Sequence, residues 1–159
     1  MTISTVTNID ADLTPGFIEG IQTEYNKERP FMQFNRAHFT TQWDTLIKAN
    51  IGAVWVLKDG NETVGASGGI ISPEPIDGAS VASLGFWYVR KAFQGGFDST
   101  RLLLAFEMWA ATHKAQRCVA ACCYDTMGGV QDKYLQIRGY KPYETRYYKE
   151  LTSWASANP

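Results

Sequence analysis

Apolar residues recur along this chain with two alternating periods. Short runs rich in Val, Ile and aromatic residues alternate with longer segments whose apolar positions return every three or four residues, the marks of strands and of amphipathic helices. Ile3 to Ile9 is rich in Thr, Val and Ile and predicts an edge strand. Asp12-Leu13-Thr14-Pro15 predicts a helix start with proline in the first turn; Phe17, Ile18, Ile21 and Tyr25 share one face, and the helix ends near Glu28-Arg29-Pro30. A second helix is predicted over Arg36 to Asn50, with Phe39, Trp43, Leu46 and Ile47 facing inward and Asn50 near the C-cap. Ala53 to Leu57 and Glu62 to Ile71 form a hairpin around Lys58-Asp59-Gly60-Asn61, whose Asp-Gly pair is the turn signal. Val81 to Val89 is apolar on both faces, with Leu84, Phe86 and Tyr88 one way and Val81, Trp87 and Val89 the other, which marks a central strand covered on both sides. Ser99 to His113 carries Leu102, Leu103, Phe106, Trp109 and Ala110 on one stripe. Arg117 to Cys123 reads as a buried strand, Val130 to Arg138 as a helix stopped by Gly139, Tyr140 to Leu151 as an extended segment interrupted by Pro142, and residues 152–159 as a frayed tail.

The order β-α-α-β-β-β-α-β-α-β has an antiparallel front and a β-α-β crossover at the back. It predicts an α+β (mixed α/β) fold, a central sheet with helices on both faces. The 159 residues fit one domain, 1–159. Composition narrows the function classes. A chain 45% hydrophobic and 13% aromatic can bury a core and is too apolar for disorder. A net charge of -1, with Lys and Arg scattered, argues against a nucleic-acid partner. No apolar run of spanning length and no leader-like segment near Met1 stand out, so a cytoplasmic protein without a membrane partner is expected. Cys118, Cys122 and Cys123 are odd in number and crowded, which disfavours a disulfide framework. Their spacing is not that of a zinc site, and His38 and His113 stand alone, so no metal is expected; reduced cysteines on a buried strand are the simpler reading.

The chemistry-bearing stretch is VRKAFQGGFDSTRLLL, from Val89 to Leu104. A strand end, a glycine turn and a helix N-terminus together expose amides without helical partners and partial positive charge. Gly95 and Gly96 allow close backbone approach to an oxygen. Gln94, Ser99 and Thr100 add side-chain donors, while Arg90, Lys91 and Arg101 bring positive charge. The stretch is neither a Walker loop nor a dinucleotide fingerprint. On the residues alone, a phosphate cradle and an ordinary strand-to-helix turn both explain it.

The order of elements, the loop and the ending together resemble the GCN5-related N-acetyltransferases, in particular small bacteriophage-type members. In that family the fourth strand ends in valine, four residues follow, and Gln/Arg-x-x-Gly-x-Gly/Ala opens a long helix. Here Val89 is followed, after four residues, by Gln94-Gly95-Gly96-Phe97-Asp98-Ser99 and then Thr100-Arg101-Leu102-Leu103. The family also closes an aromatic helix on Gly-Phe/Tyr, as Tyr134 to Tyr140 does here, and the segment Lys141 to Leu151 is similar to the endings of phage members. The resemblance covers most of the chain and is strongest from Val81 to Leu151.

The resemblance implies a mostly antiparallel sheet and acetyl-CoA as cosubstrate, lying in a splay between Val81–Val89 and Arg117–Cys123. Main-chain groups near Trp87, Tyr88 and Val89 would pair with the pantetheine arm, and amides of Gln94, Gly95, Gly96, Phe97, Asp98, Ser99 and Thr100 would surround the pyrophosphate. The acceptor would be an amine on a small molecule or a protein, attacking directly, with a tyrosine as general acid. A homodimer would also fit the family. Glu24, Tyr25 and Arg29 stand where relatives bind acceptors, although their types are too ordinary to carry a role.

Two departures matter. Phe97 and Ser99 occupy the family's motif glycine positions, and Asp98 would repel a pyrophosphate if it pointed inward; as an N-cap or first-turn acid it would point outward. The family's tyrosine position is Leu135. Tyr134 is its neighbour, either a core aromatic or a displaced acid; Tyr124 and Asp125 are other candidates near the thioester. The alternative function is a fold that has kept CoA or protein binding while losing catalysis, such as a phage factor acting on a host protein.

Overall fold

The Asp-Gly pair turns the chain where the sequence places it. Gly60 takes φ +58° between β2 (Gly52–Asp59) and β3 (Glu62–Pro73), which pair antiparallel. This is a computed structural model, describing residues 1–28, 33–121 and 130–142. The chain divides into two compact units, the first made of Met1–Tyr25 and Phe34–Ala121. It holds a five-stranded sheet in the order β1-β2-β3-β4-β5, where β1 is Thr2–Thr5, β4 is Ser80–Val89 and β5 is Arg117–Ala120. The first three pairings are antiparallel and β4–β5 is parallel, so the mixed, mostly antiparallel sheet is present as expected.

Helices cover both faces. On one side α1 (Ile9–Asp12), α2 (Pro15–Glu28) and α3 (Arg36–Lys48) bring Ile9, Phe17, Ile18, Ile21, Trp43 and Leu46 against Val54, Val56 and Ala66. On the other, α4 (Phe97–Thr112) lays Phe106 and Trp109 against Trp55 at 6.4 and 5.6 Å between ring centroids. Glycines in β3 let both layers come close. A Cβ on Gly68 would stand 2.6 Å from Trp43, and one on Gly69 would stand 2.6 Å from Phe106, so the aromatic rings rest on bare backbone.

Three sequence expectations need correction. The strand predicted over Ile3–Ile9 stops at Thr5. Asn8 then caps a single helical turn by accepting the Ala11 amide at 2.9 Å, while the Asp12 carboxylate accepts the Thr7 amide at 3.0 Å; this local capping outcompetes strand pairing. The helix Arg36–Asn50 ends at Lys48, because Asn50 takes φ +56° and the Ile51 amide reaches back to Leu46 O at 3.1 Å, a Schellman closure. The side-chain alternation in β4 fails at Gly85. Gly68 pairs with Phe86 and Gly69 with Leu84, so one extra residue is inserted and the facing parity flips. Leu84 therefore shares the α4 side with Trp87 and Val89, and Val81 shares the α2 side with Phe86 and Tyr88.

The described part of the second unit contains α5 (Val130–Ile137). Gly139 at φ +89° ends it, and the Tyr140 amide donates to Leu135 O at 2.9 Å. Cys122, Cys123, Tyr124, Asp125, the extended segment after Pro142 and the tail lie outside the described residues. Cys118 is a half-buried free thiol on β5. Burial, and then the Glu107 carboxylate, push its pKa above the usual 9.0, which keeps it protonated and unreactive at neutral pH.

Candidate functional site

Among the described residues, β4 is paired on both sides only for part of its length. Val81–Leu84 lie beside Arg117–Ala120 of β5. From Gly85 onward that edge has no strand partner among the described residues, while β3 continues alongside to Val89. The bulge at Gly85 is where the two edges part. The Arg90 amide donates to Val64 O at 2.9 Å, which fixes the phase of the antiparallel ladder. Arg90 and Tyr88 therefore turn their main-chain groups toward β3, and Trp87 and Val89 turn theirs to the open edge. One of these outward groups is already engaged: the Gln94 side-chain amide donates to Val89 O at 2.7 Å. The Trp87 N–H and C=O and the Val89 N–H point to the same edge.

After β4 the chain makes a 3-10 turn at Lys91–Phe93 and reaches α4 through Gly95 and Gly96. Gly95 takes φ +79°, a left-handed conformation natural to glycine. Gly96 is the N-cap at φ -89°, ψ 165°, which any residue can adopt. No atom outside their immediate neighbours lies within 4 Å of a Cβ built on either glycine, so the backbone here is bare on its outer side. The amides of Gly95, Gly96, Phe97 and Asp98 have no acceptor among the described residues. These amides, and not the hydroxyls, are what the turn offers. Ser99 Oγ donates to Gly96 O at 2.7 Å and Thr100 Oγ1 to Phe97 O at 2.6 Å, which uses their protons inside the turn.

The charges around the turn are mostly paired. Asp98 is not an N-cap; it is a first-turn acid that binds Arg101 at 2.9 Å, and Arg101 also donates to Met1 O at 3.0 Å. Arg90 pairs with Glu62. Lys91 has no ion-pair partner among the described residues. Phe97 is helical and 82% exposed, so it needs no left-handed backbone and its ring stands in solvent. Four amides and one lysine without partners among the described residues, beside a neutralised aspartate, make a surface that suits a phosphate group.

The other named residues separate by face. The side chains of Trp87 and Val89 are on the α4 side and that of Tyr88 on the α2 side. Tyr134 is half-buried on α5, and Leu135, turned about 100° around the helix, is 6% exposed. His113 closes α4, its Nδ1 3.0 Å from Trp109 O and its ring 4.9 Å from that of Trp109. His38 is an exposed first-turn residue of α3 whose amide donates to Asn35 Oδ1 at 2.9 Å. Sequence reasoning missed the bulge at Gly85 and the engagement of Gln94 with Val89. The first had a signal, a lone glycine inside an apolar strand; the second had none. Among the described residues no helix is long and apolar enough to cross a membrane, and no group of three or more His, Cys, Asp or Glu could hold a metal ion.

No protein-family model matches the sequence, and no curated protein does. Solved structures do share its fold. A mutant of a protein from Bacillus halodurans superposes with TM-score 0.74 at 13% identity, covering 95% of this chain and 99% of that one. A ribosomal-protein-alanine N-acetyltransferase from Brucella melitensis biovar Abortus 2308 gives 0.67 at 15% identity, covering 94% and 100%. AAC(6')-Iy, solved in complex with the bisubstrate analogue CoA-S-monomethyl-acetylneamine, gives 0.66 at 13% identity, covering 94% and 99%. The sheet and its helices are thus arranged as in N-acetyltransferases of the GCN5-related fold.

Proposed function

We infer that this chain is an acetyl-CoA-dependent N-acetyltransferase that moves the acetyl group to an amine by direct attack. The observation that carries this reading is the junction of the open β4 edge with the bare amide turn. An extended ligand with two amides in its arm and a pyrophosphate at its end would lie along the β4 edge at Val89, as an added strand does. It would then reach the amides from Gly95 to Asp98. Gln94 braces the turn, Ser99 and Thr100 tighten the first turn of α4, and Lys91 adds positive charge. Acetyl-CoA supplies a thioester carbonyl. The acceptor nitrogen bonds to its carbon, the C–S bond breaks, the amine proton passes to a base or water, and the thiolate takes up a proton. Tyr134 is the candidate donor of that last proton. With this reading go a bacteriophage-type origin, a cytoplasmic setting and a homodimer.

The first experiment is calorimetric titration with acetyl-CoA and CoA. Micromolar binding is expected; at a hundred times the dissociation constant, acetyl-CoA should add about 2.7 kcal/mol of apparent stability. No heat and no thermal shift would reduce the turn to a turn and refute the reading. The second reading, a binding module without catalysis, is favoured by Leu135 at the position where the family carries its tyrosine. Replacing Tyr134 with Phe separates the two roles. If Tyr134 is the acid, kcat falls by about 100-fold or more while acetyl-CoA affinity holds; turnover unchanged across pH would make it a packing residue.

A further inference from the structure

The open end of β4 has two sides. Phe86 and Tyr88 stand on the side away from α4, against α2 and α3. The Tyr88 ring meets Phe17 edge-on at 5.4 Å. Its hydroxyl lies so near α2 that a Cβ on Gly20 would be 2.8 Å from the oxygen. Gly20 therefore makes room for the phenol, and the ring runs along α2 from Phe17 toward the next turn. That turn carries Glu24, four residues beyond Gly20 and on the same face. Glu24 is half-buried and has no ion pair among the described residues.

Arg90, the cation that acts on Tyr88, pairs with Glu62, and its guanidinium carbon sits 5.7 Å from the centre of the Phe17 ring. Burial first, then the Glu24 carboxylate, hold the Tyr88 hydroxyl above its usual value of 10.0, with Arg90 acting the other way. The phenol thus keeps its proton at neutral pH. The surrounding wall is aromatic and partly buried. Phe86 lies 5.3 Å from Phe39, and Phe39 lies 5.2 Å from Phe34. A half-buried carboxylate with no ion pair among the described residues, near an aromatic wall, is complementary to a cation on an apolar body.

We propose that Glu24 and Tyr88, with the wall of Phe86 and Phe39, form the acceptor subsite, and that the acceptor is a primary amine, charged in solution, on an aromatic or branched apolar body. The assignment as an acceptor subsite rests on the acetyl-transfer reading; the cation preference stands on Glu24 itself and is measured without turnover. The test is a ligand-observed NMR titration with 2-phenylethylamine, its neutral analogue 2-phenylethanol, and ethanolamine. Wild type and Glu24→Gln are compared, and acetyl-CoA binding is followed separately by calorimetry. The amine should bind wild type about tenfold or more tightly than either comparison compound. Glu24→Gln should erase its preference over the alcohol and leave acetyl-CoA affinity unchanged. Equal binding of amine and alcohol to wild type, a preference that survives Glu24→Gln, or ethanolamine binding as well as the aromatic amine overturns the proposal. An intact amine preference in a protein that ignores acetyl-CoA would refute the transferase reading and support the cation subsite.

Discussion

Replacing Gly96 with valine weakens acetyl-CoA binding at least about tenfold and lowers the melting temperature by only about 2–4 °C. The two halves of this expectation come from different features of one residue. Gly96 has φ -89° and ψ 165°, an extended conformation that suits a β-branched side chain. A Cβ there meets no atom of the folded chain within 4 Å. The fold therefore resists the substitution only through the preference for glycine over valine at an N-cap, about 1 kcal/mol. The added methyl groups instead enter the bare side of the turn, where a phosphate oxygen must come within hydrogen-bond reach of the amides. Gly95 would be the poorer choice, because its φ of +79° makes any side chain strain the backbone, and lost binding could then be blamed on lost structure. Calorimetry and a thermal melt of the Gly96 variant decide the matter: unchanged affinity would remove the pyrophosphate from this turn.

Truncating Phe106 to alanine destabilises the chain by about 3–5 kcal/mol, read from urea unfolding. Phe106 is fully buried and stacks into the aromatic group with Trp55 and Trp109. Beneath it lies Gly69, which has no side chain to move into the space. The cavity therefore stays open, and the loss falls at the high end for a large-to-small change. The same contact predicts a coupling. Gly69→Ala alone forces a Cβ to 2.6 Å from the Phe106 ring and should destabilise by about 1–3 kcal/mol. In the Phe106→Ala background that ring is gone, and the same substitution should cost less. Simple additivity of the two changes would mean that the ring does not rest on Gly69.

Much of this architecture was legible in the residues, because its elements are marked by local physics. The Asp-Gly turn, Pro15 in the first turn of α2, the Leu102–Phe106–Ala110 stripe and Gly139 all act within a few residues of themselves. What escaped depends on partners. The alternation of Val81–Val89 reads as regular until Gly68 and Gly69 of the neighbouring strand set a register that leaves Gly85 over. Asn8 turns the chain into α1 only because the Ala11 amide is there to donate to it. At the site, the glycine pair marked a turn open to an anion as well as to a plain strand-to-helix link, but its residues did not reveal that the Ser99 and Thr100 hydroxyls turn inward or that Asp98 is neutralised by Arg101. Those are choices among rotamers, and only neighbours make them.

The side chain of Gln94 has one more consequence. An open strand edge is a template that any extended chain can copy, including a second molecule of the same protein. Here the template is brief. β5 occupies it up to Leu84, and the Gln94 amide stops it at Val89 O. Among the described residues, the stretch between runs from Trp87 to Val89, about 7 Å of strand. A polypeptide strand of ordinary length would run into β5 at one end and Gln94 at the other. Under the proposed acetyl-CoA reading the edge would work as a gauge, long enough for a guest carrying two amides and too short for one carrying six.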